Sequence, residues 1–366
     1  MLQAPRIFRR REDLPAGVPI IDAFEPALAE LFLLEHPQFR ENGSAARAAR
    51  SVFATQQEIS PVWIYYPWRH TAVRSLPQEH YDRLRTTRNR NLITAAEQAR
   101  YRQMVVGVAG LSVGSAIVSA LTTSGGPQVL KIADPDTVAP SNLNRIRATL
   151  LDVGTNKTVV AARAVWELDP FARVHAWREG LDARTLNTFI LGQPKLGVFI
   201  DEMDNLALKI AARHVCQRHR VPALMATDNG DGVIVDVERF DREPARPIFH
   251  GLVRGMRPQA SRKLSRRQWL RLATKIIGPR FMTPRHQESL LEVGKSLAGV
   301  PQLGTTAALA GAAVAFVVRR IASGDTMSSG RYLVGLEGVF IPRYQSVQAR
   351  KSRAKQTRIF VRRLFR

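Results

Sequence analysis

The stretch from Met104 to Asp134 limits what this chain can fold into more than any other. Met104–Val105–Val106–Gly107–Val108–Ala109 is an apolar run of strand length, and its lack of polar alternation predicts a strand buried on both faces. A turn, Gly110–Leu111–Ser112–Val113–Gly114–Ser115, leads into a helical pattern from Ala116 to Thr123, which the Gly125–Gly126–Pro127 breaker ends. Val129 to Ala133 is a second short apolar run, closed by Asp134. Strand, loop, helix and strand in this order make a βαβ unit of nucleotide-binding length. Such a loop leaves backbone N–H groups at a helix N-terminus, where the helix dipole favours a phosphate. A carboxylate closing the second strand is placed to hold ribose hydroxyls. The glycine spacing alone is a weak signal, because Ser112 and Ser115 stand where Gly-x-Gly-x-x-Gly needs its second and third glycines.

The residues beyond Asp134 carry a more specific signal. Asp134–Pro135–Asp136–Thr137–Val138, Ser141–Asn142–Leu143–Asn144–Arg145 and Gly154–Thr155–Asn156–Lys157 succeed one another. Asp201–Glu202–Met203–Asp204–Asn205 then comes after the apolar Val198–Ile200. Upstream stand Arg85–Thr86–Thr87–Arg88–Asn89 and Ile93–Thr94–Ala95–Ala96–Glu97–Gln98. These elements, in this order, resemble the ThiF/MoeB family, which contains the adenylate-forming half of the ubiquitin-activating enzymes. The resemblance covers roughly residues 85–325.

It implies a Rossmann-like, doubly wound α/β fold with a mostly parallel sheet and helices on both faces. It also implies ATP with Mg²⁺ as cofactors and a homodimer. The activity implied is adenylation of a carboxylate, such as the C-terminus of a sulfur-carrier or ubiquitin-like protein or of a peptide. In that reading Gly110, Ser112 and Gly114 form the phosphate loop and Asp134, with Asp136 beside it, holds the ribose. Asn142 and Arg145 face the phosphates, Lys157 reaches them from a helix start, Asp204 ligates the metal, and Arg88 is donated across the dimer interface. Adenylation joins two anions, so cationic clamps and a metal ion, rather than proton transfer, supply the catalysis.

Each residue also has a structural reading. Asp134 can close its strand in an Asx turn, Ser141 or Asn142 can cap a helix, and so can Asp204 or Asn205. Arg145 is one of 45 arginines, and Arg85 and Arg90 compete with Arg88. Three rival functions remain: a tRNA-modifying relative that cyclises threonylcarbamoyl-adenosine, an NAD(P)-dependent oxidoreductase, and a non-catalytic nucleotide-binding scaffold. The oxidoreductase would leave Arg145, Lys157 and Asp204 without a task.

Outside this region, residues 1–80 read as a separate accessory part. Ile20–His36 shows helical apolar spacing, Glu41–Ala49 is polar and alanine-rich, Pro61–Trp68 is an aromatic strand, and Pro77–Leu84 is a short helix. Residues 81–325 read as the adenylation domain, with a basic insertion at 251–300 and a buried helix of small residues at Thr305–Ile321. Residues 326–366 read as a basic tail.

The net charge of +23 is clustered: Arg254–Arg285 holds ten basic residues and Pro342–Arg366 nine, and neither has an acid. Such blocks suit an acidic protein or an RNA, or else reflect an arginine-rich composition. The single Cys216 excludes an intrachain disulfide and a cysteine zinc site. Its apolar helical spacing with Ala212 and Val215 reads as core, so no thioester-forming cysteine is expected. No signal-peptide pattern is visible in Met1–Glu12, and the small-apolar run Thr305–Val318, at 14 residues, is short for a bilayer. The expectation is a soluble, cytoplasmic protein without a membrane contact.

Overall fold

The structure, a computed structural model, describes residues 2–39, 43–253 and 265–365. The readings placed on Glu41, on residues 254–264 of the basic insertion and on Arg366 lie outside the described residues. The chain divides into two compact units, Met1–Ala99 with Arg163–Ala172, and Arg100–Ala162 with Arg173–Arg366.

The first unit contains β1 (Arg6–Phe8), β2 (Ile20–Asp22), α1 (Phe24–Glu35), α2 (Gly43–Gln56), β3 (Val62–Tyr66), β4 (Thr71–Ser75) and α3 (Gln78–Thr86). Its sheet runs β1-β3-β4-β2, antiparallel except where β2 joins β4. Phe24, Leu28, Leu31 and Phe32 of α1 pack with Phe53, Ile59 and Leu76 in one apolar cluster. The aromatic strand expected at Pro61–Trp68 is β3, and its Ile64, Tyr65 and Tyr66 are buried. The helix expected from Ile20 starts only at Phe24. Ile20 and Ile21 are β-branched and pair with β4 instead. The Asp22 carboxylate then accepts the Phe24 N–H at 3.0 Å and turns the chain into the helix.

The second unit is built on the sheet β11-β10-β9-β8-β5-β6-β7. In chain order its elements start with α4 (Ala95–Gln103, which begins in the first unit), β5 (Val105–Ala109), α5 (Val113–Thr123), β6 (Val129–Ala133) and α6 (Lys157–Leu168, which ends in it). Then come β7 (Arg173–Trp177), α7 (Thr185–Leu191), β8 (Val198–Asp201), α8 (Leu206–Arg218), β9 (Ala223–Asn229) and β10 (Gly232–Glu238). Last are α9 (Arg266–Ile277), α10 (Pro284–Glu292), α11 (Gly304–Ala322), β11 (Gly330–Gly335), α12 (Glu337–Phe340) and α13 (Val347–Phe365). The five strands β7-β6-β5-β8-β9 are parallel, whereas β10 and β11 are antiparallel to their neighbours. This is the doubly wound α/β architecture expected from the sequence.

Successive residues of β5 face opposite layers, as strand geometry requires. A β-carbon on Gly107 would meet Phe189 of α7 and Leu196, which follows that helix. Val108 instead reaches within 3.0 Å of where one on Gly114 would lie, at α5. Phe189 and Ile190 of α7 and Ala212 and Cys216 of α8 form the core on the first side. α11 packs along α5 on the other, with Ala307, Ala310, Val314 and Val318 fully buried. This helix has 19 residues, longer than the run read from the sequence, and is long and apolar enough to cross a membrane by composition. Its burial against α5, β9 and β10 makes it a core helix. Residues 326–365 are folded too: β11 extends the sheet, and Phe360 and Leu364 of α13 pack with Met282 and Leu290.

Candidate nucleotide site

In a doubly wound sheet the chain leaves in two directions from a switch point, and ligands bind beyond the carboxyl ends of the strands there. Here β5 is flanked by β6 and β8, and most of the motif residues stand at those ends. Gly110 has φ +90°, and a β-carbon on it would overlap the carbonyl of Glu202 after β8. Only glycine lets the loop pass so close to its neighbour. The loop enters α5 at Ser112 without a side-chain cap on the first turn.

Asp134 is 4% exposed and organises the loop from the β6 side. Its Oδ2 accepts the Leu111 N–H at 2.6 Å and its Oδ1 accepts the Asp136 N–H at 2.8 Å. The Asx turn allowed by the sequence is therefore present, together with a bond to the loop that no local pattern signals. Lys157, buried at the start of α6, donates to Asp136 Oδ2 at 2.8 Å and lies 3.7 Å from Asp134 Oδ1. Burial pushes the Asp134 carboxyl above its ordinary range, while the Leu111 N–H and Lys157 pull it down. Asn156 is the member of the Gly154–Lys157 motif for which the sequence suggests no role, and the structure gives it one. Its amide donates to the carbonyls of Asp134, Asp136 and Arg178, each at 3.2 Å, and its oxygen accepts the Thr158 N–H at 3.0 Å.

Arg145 reaches the same loop at its other end, where Ser112 leads into α5. Its Nε donates to Ser112 Oγ at 3.0 Å, and its Nη1 donates to the Ser141 carbonyl and to Asn144 Oδ1. It is half-buried, and burial lowers its pKa against the opposing pull of Asp228 and Asp204. Asn142 accepts the Ala139 N–H at 3.1 Å and so closes its own turn.

The Asp201–Asn205 motif divides its labour. Asp201 is fully buried, paired with Lys209 at 3.3 Å and with Arg213. Asn205 caps α8 through the N–H groups of Ala207 and Leu208, each at 3.1 Å. Asp204 is exposed, and its carbonyl accepts from Trp269 Nε1 at 3.2 Å. Glu202 has its carboxyl raised by burial, and it accepts the Ala226 N–H at 2.8 Å. No group of three His, Cys, Asp or Glu that could hold a metal occurs among the described residues. A single exposed carboxylate still fits a Mg²⁺ that arrives on a triphosphate and keeps much of its water.

The structure thus brings together Gly110, Ser112, Gly114, Asp134, Asp136, Arg145 and Lys157 in one unit, with Asp204 at the neighbouring strand end. Arg88 lies in the other unit, exposed on the turn Thr87–Asn89. Cys216 is fully buried, and burial raises its thiol pKa.

Comparison with known proteins matches residues 86–358 to the ThiF family. A relative described as "Uncharacterized protein MT1398", from Mycobacterium tuberculosis (strain CDC 1551 / Oshkosh), is 39% identical over 272 residues. The match takes in 74% of this chain and 37% of the relative, so the chain spans little more than a third of that protein. Among solved structures, E. coli tRNA N6-threonylcarbamoyladenosine dehydratase, TcdA, is 17% identical with a TM-score of 0.47, over 66% of this chain and 95% of its own. E. coli MccB with ATP is 17% identical with a TM-score of 0.44, over 66% of this chain and 63% of its own.

Proposed function

The chain belongs to the ThiF family, and from that premise we propose that it activates a carboxylate with ATP, without a cysteine thioester. A carboxylate oxygen attacks the α-phosphorus, the bond from that phosphorus to the bridging oxygen breaks, and pyrophosphate leaves with the bond electrons. No proton changes hands, so the site has to counter negative charge rather than supply an acid or base.

The observation that carries this reading is the placing of two cations around one loop. Arg145 is bonded to Ser112 at the start of α5, and Lys157 lies beside the carboxylate that holds Leu111. Phosphates on the α5 N-terminus meet both. Asp134 and Asp136 are the acceptors for ribose hydroxyls, and Asp204 is the ligand for Mg²⁺, which when bound shields the triphosphate. Arg88 completes the site from a second copy across a two-fold interface. The acyl substrate in this reading is a protein or peptide C-terminus.

The test is carboxylate-dependent ATP–pyrophosphate exchange, run with peptides bearing free C-termini, beside thermal shifts with nucleotides. ATP with Mg²⁺ raises the melting temperature and NAD(H) and NADP(H) do not. Stabilisation by a dinucleotide with none by ATP rejects the reading.

A further inference from the structure

Asp228, the penultimate residue of β9, has no part in the adenylation chemistry just described. It is 7% exposed. Its Oδ2 accepts from Gln302 Nε2 at 3.1 Å, while its Oδ1 is buried with no partner among the described residues. A buried carboxylate oxygen left without a donor is costly, and folded proteins keep few such groups. Burial lifts this carboxyl to about 6, against the pull of Gln302 and Arg145.

Its place in the sheet says what meets that oxygen. Asp134 ends β6, the loop ends β5, Asp204 follows β8, and Asp228 stands near the end of β9, in the spatial order β9-β8-β5-β6. A nucleotide with its ribose at Asp134 and its phosphates at the loop carries an acyl group onward, over the ends of β8 and β9. Hydrogen bonds already link the two ends. Ser112 Oγ takes the Arg145 Nε–H, Asn144 Oδ1 takes an Arg145 Nη1–H, and Asn144 Nδ2 donates to the Gln302 carbonyl at 2.9 Å. Gln302 in turn donates to Asp228. A carboxylate oxygen offers only lone pairs, so the group that satisfies Oδ1 is a hydrogen-bond donor.

Resting on the adenylation reading, we propose that Asp228 is a specificity residue whose free carboxylate oxygen accepts an N–H group carried on the carbon next to the carboxylate being adenylated. The substrate class is then an α-amino acid, through its ammonium, or a peptide C-terminus, through its last amide.

The test uses the full chain and three inert acyl-adenylate analogues, acetyl-, glycyl- and N-acetylglycyl-sulfamoyl adenosine, titrated calorimetrically. At least one N–H-bearing analogue binds the wild type about ten-fold or more tighter than the acetyl analogue, the scale of one charge-assisted hydrogen bond. Glycyl preference marks an amino acid and N-acetylglycyl preference a peptide. Asp228→Asn and Asp228→Ala lose the preference and keep their affinity for ATP with Mg²⁺. Equal binding of all three analogues, or a preference that survives both substitutions, overturns the assignment. So does loss of ATP–Mg²⁺ affinity in the variants, which makes Asp228 a metal ligand, and so does ATP binding with none of the analogues bound. Failure of the wild type to bind ATP as well as the analogues sinks the adenylation reading itself.

Discussion

Lys157 Nζ lies 3.7 Å from Asp134 Oδ1, with the two side chains 8% and 5% exposed. A buried ion pair of this kind is weak evidence for stability, but removing one partner leaves a charge uncompensated. Lys157→Ala therefore acts twice. The exchange rate falls on the order of 10²–10³, as for other preorganised charge-stabilising groups. The fold also loses stability, because Lys157 opposes the upward shift that burial imposes on Asp134. A raised folded carboxyl pKa costs stability above it and not below the unfolded value, so the loss grows with pH from the acid range upward. Paired melting curves at pH 5 and pH 8 check this; an equal loss at both places the effect elsewhere.

Asp228 gives a separate pH prediction. Its carboxyl, ordinarily 3.8, is raised to about 6, so the folded state holds the proton more tightly than the unfolded one. Stability from this group is full below 3.8 and is lost as pH rises through 6. Roughly two pKa units correspond to at most about 3 kcal/mol. Asp228→Asn accordingly melts higher than wild type at pH 7–8, and the gain shrinks towards pH 4. A gain of the same size at pH 4 contradicts the assignment.

Cys216 is fully buried among Phe199, Ala212 and Phe240, with its thiol pKa raised. Cys216→Ala keeps exchange and product formation at wild-type rates and costs about 1 kcal/mol, the scale of losing one buried heavy atom. Trapping of a thioester that vanishes in this variant would show a nucleophile where the structure puts a core side chain.

The basic tail, read from the sequence as a candidate surface for a polyanion, is not to be tested by truncation. Phe360 and Leu364 of α13 are buried with Met282 and Leu290, so deleting the helix opens a core. Arg350, Lys351, Lys355 and Arg358 are exposed, and their reversal to Glu tests charge without removing packing. If they recruit a single-stranded polyanion, log affinity falls with log salt by about 0.7 per phosphate neutralised. The reversed variant then loses both affinity and slope while its ATP affinity stays. Equal binding by both proteins leaves the charge as an arginine-rich surface.

What the sequence disclosed was what is local. Strands β5 and β6, helix α5 and the loop between them stand where apolar runs and glycines place them, and Asp134 and Arg145 meet that loop. Legibility failed where a partner is distant or shared. Ile20–Asp22 looks helical by spacing, and only its pairing with β4, some fifty residues on, makes it a strand. Asp228 and Gln302 are 74 residues apart with no periodic signal linking them. The Asp201 network does carry a sequence clue. Lys209 and Arg213 stand four residues apart on α8, one face of a helix aimed at a buried carboxylate.

The last prediction concerns Arg88, on a turn in the other unit from the nucleotide site. If it is donated across a two-fold interface, each site holds Arg88 from one subunit and Asp134, Arg145, Lys157 and Asp204 from the other. Arg88→Ala and Asp204→Ala are then each crippled, by on the order of 10²–10³ in exchange rate. Mixing the two variants and allowing subunits to exchange makes about half the dimers mixed. Each mixed dimer contains one intact site and one doubly damaged site, so roughly a quarter of wild-type activity returns, as isologous contacts require. The measurement is exchange activity against mixing ratio, with subunit exchange followed independently by mass. A dead mixture whose subunits have exchanged shows that Arg88 serves its own chain or has no part in the chemistry, and a chain that stays monomeric at assay concentration rules out donation in trans.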